Sequence, residues 1–198
     1  MVHGVSLGLF GDRILALRGA QLSAVFNAAD EVTGAQIGLV NVGGRVRGAQ
    51  IGLVNVAREL EGASLGLVPW VGGADGLHHL ELYATDRAEL ALGWRIGARW
   101  LHTAVALATK FENCNLHIAV GSEVDLGRVA LDIDLGPILG ARRCAPAYLG
   151  GRTEIALRML LGVRVVPGVV VFAGGSAGIA TDDGAFRPGA LAGLRFFE

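Results

Sequence analysis

From residue 77 onward, apolar and polar positions alternate with a period of two. In segment 153–167 one face carries Ile155, Leu157, Met159, Leu161, Val163 and Val165. The other carries Glu154, Ala156, Arg158, Leu160, Gly162 and Arg164. In 115–126, Leu116, Ile118, Val120, Val124 and Leu126 oppose Asn115, His117, Ala119, Gly121, Glu123 and Asp125. Segments 89–100 and 128–136 repeat the pattern, and 78–84, 101–111, 169–181 and 189–197 follow it less cleanly. Strict alternation predicts β-strands, about eight of them, because a helix would scatter Arg158 and Arg164 around its cylinder.

The first 76 residues follow another rule. Gly34-Ala-Gln-Ile-Gly-Leu-Val-Asn41 recurs as Gly48-Ala-Gln-Ile-Gly-Leu-Val-Asn55, with weaker copies from Gly4, Gly19 and Gly62. The repeat is first 15 residues long, then 14. So short a unit cannot hold a helix pair; it suits one coil of a narrow β-solenoid. Spacing alone also admits short antiparallel hairpins. Stacking would set Ile37 over Ile51 and Leu39 over Leu53, predicting an apolar core from that face. Asn27, Asn41 and Asn55 occupy equivalent positions. They can form an amide ladder along the axis, or act only as turn caps. Pro69 stands where the last copy would place Asn, which suits termination. The expected fold class is therefore all-β. A short solenoid-like repeat region (1–76) precedes an antiparallel barrel of about eight strands (77–198).

Two barrels share this alternation. In a soluble, lipocalin-like barrel the apolar stripes form the core; in an outer-membrane barrel they face lipid and the polar face fills the lumen. Several strands run about 10–13 residues, close to the ~9–11 that span a bilayer at a tilt. Tight connections near 126–127 and 166–168 contrast with longer ones at 140–152 and 182–188. The chain ends Leu194-Arg-Phe-Phe-Glu198, a closing strand with terminal aromatics. These features favour the membrane version, with lipid as partner.

Charge sharpens that choice. The polar face carries Glu89, Glu123, Asp125, Asp132, Asp134 and Glu154 against Arg95, Arg99, Arg128, Arg158, Arg164 and Arg195. Such balance predicts a lumen closed by ion pairs, with Arg95, Arg128, Arg158 and Arg164 meeting Glu123, Asp132, Asp134 and Glu154. The whole chain has a formal net charge of -1, so no basic field recruits nucleic acid. Lys110 is its single lysine. With 31 glycines in 198 residues, 52% hydrophobic and 18% charged residues, a disordered chain is excluded. The opening Met1-Val2-His3-Gly4 carries neither a charged nor an apolar leader, so export would need a signal this stretch does not supply.

The Gly-Ala-Gln-Ile-Gly-Leu-Val-Asn-Val repeats, followed by Leu77-His-His-Leu-Glu-Leu-Tyr83 and a Gly-rich β region, resemble the bacterial surface-repeat proteins of the Leptospira and myxobacterial type. The resemblance covers most of the chain, and the repeats carry its specificity. It implies a location in the outer membrane or at the surface of a Gram-negative-type bacterium. The family has no assigned molecular function and offers no catalytic residues.

Several patterns invite a chemical reading. Gly174-Gly-Ser-Ala-Gly178 matches a nucleophile elbow, but no helical pattern follows and the last histidine, His117, precedes it. Asp132 and Asp134, beside Glu123 and Asp125, can serve as general acids and bases or as structural partners of lumen arginines. His78 and His79 point to opposite sides of a strand. Thr181-Asp-Asp-Gly184 reads as a turn before a calcium loop. The expectation is a protein without catalytic, cofactor or metal residues. Cys114 and Cys144 fall in connections at the same rim, where an oxidising compartment would let them pair; two independent thiols are the alternative.

Overall fold

The computed structural model describes residues 1–73, 76–87, 89–110, 113–141, 144 and 149–197. Part of the expected 140–152 connection lies outside them. Contacts divide the chain into two compact units, Met1–Leu77 with Ile96–Thr103, and His78–Arg95 with Ala104–Glu198.

In the first unit six strands form one parallel sheet in chain order: β1 (Val2–Gly8), β2 (Gly11–Ser23), β3 (Phe26–Ile37), β4 (Val40–Ile51), β5 (Val54–Leu65) and β6 (Val68–Val71). Each repeat lies beside the next in register, with Gly34 on Gly48 on Gly62 and Asn27 on Asn41 on Asn55. Every pairing is parallel, which excludes hairpins and gives solenoid-like stacking. Gly48 shows why one column must be glycine. Its φ is 138°, and a Cβ would run into the Gly34 carbonyl.

Burial reverses one expectation. Ile37 and Ile51 are 38% and 42% exposed, and Leu39 and Leu53 also face outward, whereas Gln36, Gln50, Asn41 and Asn55 are fully buried. The predicted stacking is present, but its apolar column lies outside. The interior is built from four columns. They are the asparagines; Ile14, Ala29, Gly43, Ala57 and Val71; Leu17, Val32, Val46 and Leu60; and Gln21, Gln36 and Gln50. Amides can fill a narrow coil because each satisfies the next. Asn27 Nδ2 donates to Asn41 Oδ1 at 2.9 Å, and Asn41 Nδ2 to Asn55 Oδ1 at 2.8 Å. Gln50 donates to Gln36 and Gln36 to Gln21, each at 2.9 Å. The charged columns Glu31–Arg45–Glu59 and Thr33–Arg47–Glu61 stand outside, on either side of the Val32–Val46–Leu60 column. Pro69 pairs with Asn55 in the last strand, where the ladder stops. From the segment Ile96–Thr103, Ala98 joins this unit's apolar cluster and the Thr103 hydroxyl donates to the Gly66 carbonyl at 2.6 Å.

The remaining strands are β7 (Gly76–Thr85), β8 (Leu90–Ala98), β9 (Leu101–Lys110), β10 (Asn113–Asp125), β11 (Val129–Ala141), β12 (Leu149–Val166), β13 (Val169–Ala180) and β14 (Phe186–Phe197). They close a barrel in the order β10-β11-β12-β13-β14-β7-β8-β9, with β14 antiparallel to β7. Closure leaves no free sheet edge. The apolar stripe of β12, from Ile155 to Val165, faces outward, as do Leu131, Ile133 and Leu135 of β11. Their alternate neighbours Glu154, Arg158, Asp132 and Asp134 are buried inside. Small residues make the room: a Cβ at Gly93 would sit 3.2 Å from Ala106 and 3.5 Å from a Glu81 carboxylate oxygen.

Candidate functional site in the barrel lumen

A layer of guanidinium and carboxylate groups crosses the middle of the barrel. β7 supplies Glu81, β8 Arg95, β10 Glu123, β11 Asp132 and Asp134, β12 Arg158 and β14 Arg195. Arg95 Nε donates to Glu81 Oε1 at 3.2 Å, and its Nη1 to Asp132 Oδ1 at 3.1 Å. Nη1 and Nη2 of the same residue also reach the two oxygens of Asp134. Arg195 Nε donates to Glu81 Oε1 at 2.8 Å, its Nη1 to Glu123 at 3.1 Å and its Nη2 to Asp132 at 2.8 Å. Arg158 divides its nitrogens between Asp134 and the Tyr83 hydroxyl, both at 3.3 Å. Register explains part of this. Glu123 pairs with Asp132, Asp134 with Arg158, and Arg195 with Glu81 on adjacent strands. Phe172 supports the layer from β13, with the Arg195 guanidinium 5.3 Å from its ring centre. Each guanidinium spreads its donors over more than one acceptor, the condition under which buried charge is tolerated.

Five of the eight residues expected to pair in the lumen therefore meet in one layer: Arg95, Arg158, Glu123, Asp132 and Asp134. Glu154 is buried elsewhere in the lumen and pairs with Arg87 at 3.2 Å. Arg164 meets Asp125 at 3.7 Å in a half-exposed rim pair, not in the lumen. Arg128 departs fully from expectation. It is exposed, with no ion pair among the described residues, because it follows the tight Leu126-Gly127 turn and lies beyond the wall. Sequence reasoning passed over Glu81 and Arg87. The signal for Glu81 was present: His79, Glu81 and Tyr83 alternate with Leu80 and Leu82.

The other candidates separate. Cys114 and Cys144 are joined in a disulfide. Asn27, Asn41 and Asn55 form the ladder described above. Ser176 lies within β13, with no strand-to-helix turn. His79 faces the lumen, 3.7 Å from Glu123, and is not placed with His78 to grip one ion. Asp183 accepts from the Ala185 backbone and from Arg187 within its turn. Comparison with family models, characterised proteins and solved structures finds no match.

Above the ionic layer is a small pocket of about 30 Å³, open at its mouth and lined by Tyr83, Arg87, Asn115, His117, Glu154 and Ser176 among others. The Tyr83 hydroxyl lies 3.3 Å from His117 Nδ1. Glu89 joins Thr85 and Asn115 by hydrogen bonds. The lumen thus combines the ionic layer with a buried apolar cluster that includes Ala91, Ala106, Leu160, Val170, Phe172 and Leu191.

Proposed function

We propose that the chain is a non-enzymatic outer-membrane or surface protein of a Gram-negative-type bacterium, with a structural or adhesive role. The observation that carries this reading is the direction of the apolar stripes. Leu80, Leu92, Val124, Ile133, Leu157 and Ile179, from six strands, are all exposed on the outer wall. The charges lie within. A water-facing barrel would lose free energy on both counts, whereas a barrel in hydrocarbon gains on both. Phe186 and Phe196 are exposed toward opposite rims, where aromatic side chains suit a membrane interface.

Two further features support the reading. The Cys114–Cys144 bond suits an oxidising compartment outside the cytoplasm. Connections are short at one rim, at 99–100, 126–128 and 167–168, and mostly longer at the other, at 86–89, 142–148 and 181–185, with 111–112 the exception. Outer-membrane barrels have that asymmetry. Support for an adhesive or structural role comes from the solenoid, whose exterior stacks aliphatic columns such as Ile37–Ile51–Leu65 and separate charged columns. A soluble barrel holding an apolar molecule would keep its apolar stripes inside, and their outward direction argues against it.

Fractionation of expressing cells, with gel mobility before and after heating, tests the proposal. The chain is expected in the outer-membrane fraction, requiring detergent for extraction and running faster unheated. A protein that stays monomeric in detergent-free buffer overturns it.

A further inference from the structure

The outer face of the solenoid carries a hollow. A pocket of about 390 Å³ opens there, lined by residues of the first unit alone. Its floor is made of short side chains. Ala28 and Val42 lie in one outward column that begins with Arg13. Gly43 and Gly44 beside them add no side chain, and neither position has room for one. A Cβ at Gly43 would run into the Val46 side chain, and one at Gly44 into the Asp30 carbonyl. One repeat before and one repeat after Gly44 stand Asp30 and Arg58, which also line the pocket. Arg13, on β2, and Arg58, on β5, flank the hollow, and the Phe26 ring, 39% exposed, adds an aromatic wall. Arg45 and Arg47 of the same unit are committed to Glu59 and Glu61. By contrast, the side chains of Arg13, Arg58 and Asp30 are exposed and have no hydrogen bond or ion pair among the described residues.

We propose that this pocket binds an acidic saccharide, a short run of sugar rings bearing carboxylates. The inference rests on the adhesive reading above and names its ligand. Two free guanidiniums against one carboxylate leave a positive balance, and each presents a fork of donors that fits a carboxylate. β2 and β5 are three strand spacings apart in the sheet, about 14 Å at the backbone. The two forks therefore suit two acidic groups on linked rings better than one small anion. Asp30, on β3 between them, repels a further anion but accepts hydroxyl hydrogens, which a sugar supplies. A phosphate chain would bring charge against that carboxylate at every unit, and an aliphatic acid would offer it no donor. Ala28, Val42 and the Phe26 ring suit the C–H face of a sugar ring, whose contact buries apolar surface.

The test is calorimetric titration of the full folded chain, in whatever detergent or buffer keeps it folded, with digalacturonate at constant ionic strength. Saturable binding is expected, weakened about fivefold or more by Arg13→Gln and by Arg58→Gln. Neither guanidinium has a partner in the fold, so both variants should keep the parent's unfolding midpoint. Ala28→Leu fills the floor without removing a charge and is expected to weaken binding too. Lactose, a neutral disaccharide, and sulfate, a small anion, are expected to bind about tenfold more weakly or not at all. The proposal is overturned by absent saturation, by unchanged affinity in the variants, or by equal affinity for lactose or sulfate. A chain that fractionates with the outer membrane but does not bind digalacturonate loses this site and keeps its proposed location.

Discussion

Arg95 and Asp134 meet as a two-pronged pair, Nη1 to Oδ1 and Nη2 to Oδ2, each at 3.0 Å, with both side chains fully buried. They come from β8 and β11, which are not neighbours in the barrel wall. The pair is therefore a tie across the lumen and not a rung along it. Arg158 leans on the same carboxylate at 3.3 Å. Asp134→Ala would leave two buried guanidiniums short of their partner. Breaking such a network costs about 3–5 kcal/mol. The expected outcome is a lower unfolding midpoint in urea, read from the loss of the fast-migrating unheated band. A variant as stable as the parent would show the layer to be dispensable.

The barrel was legible because alternation alone decides which residues share a face: Ile155 to Val165 line the outside and Arg158 the inside, with Leu160 beside it and Arg164 exposed at the rim. The direction of each face had to come from charge: Asp132, Asp134 and Arg158 can be buried only in company. In the solenoid the same reasoning misled. Ile37 and Leu39 look like core, yet Gln36 and Asn41 are inside, because stacked identical amides satisfy one another. The true core column hides as single apolar residues between polar ones, as in Glu31-Val32-Thr33, Arg45-Val46-Arg47 and Glu59-Leu60-Glu61. Ion pairs between distant strands, such as Arg95 with Asp132, need the closed topology and cannot be read from local spacing.

Asn41 is the middle rung of its ladder. It accepts from Asn27 and donates both to Asn55 and to the Ile51 carbonyl, the last at 2.9 Å. Asn41→Ala removes these bonds, and a further one to the Gly38 carbonyl, and leaves buried neighbours unsatisfied, a loss of about 1–3 kcal/mol for each stranded group. Hydrogen exchange should show faster amide loss in β3, β4 and β5. Unchanged protection there would mean the ladder only fills space.

The inverted packing makes a paired prediction. Val46 is fully buried in the interior column, while Leu53 is 51% exposed. Val46→Ala should cost about 2 kcal/mol through lost burial and a cavity. Leu53→Ser should leave folding stability nearly unchanged and reduce the protein's tendency to associate. Thermal unfolding together with light scattering separates the two effects. The opposite order of stabilities would restore the Ile37/Leu39 face as the core.

Arg45 and Glu59 form an exposed pair at 2.7 Å on the solenoid's charged edge. The hydrogen bond and charge of Arg45 hold the Glu59 carboxyl below its ordinary range. A lowered folded-state pKa means the contribution is present above the unfolded value and fades as pH falls through the folded one. The expected acid effect is small, because both groups are solvated and salt screens them. Denaturation midpoints of the parent and Glu59→Gln, followed from neutral pH into the acid range at low and high salt, check it. The difference between the two proteins should shrink in acid and in salt.

Cys114 and Cys144 close a loop spanning 30 positions between β10 and the β11–β12 connection. In the chain-entropy account such a crosslink stabilises by roughly 3–4 kcal/mol, because it restricts the unfolded chain more than the folded one. The bond lies at the rim with the longer connections, away from the Arg95–Asp134 tie. Its loss should therefore loosen that rim before the barrel opens. Cys114→Ser with Cys144→Ser should leave unheated gel mobility intact at room temperature and lower the unfolding midpoint. It should also speed proteolysis within 141–149. Reduction of the parent should reproduce the double variant and have no effect on the variant itself. Equal midpoints for parent and variant would mean that strand closure alone holds this end of the barrel.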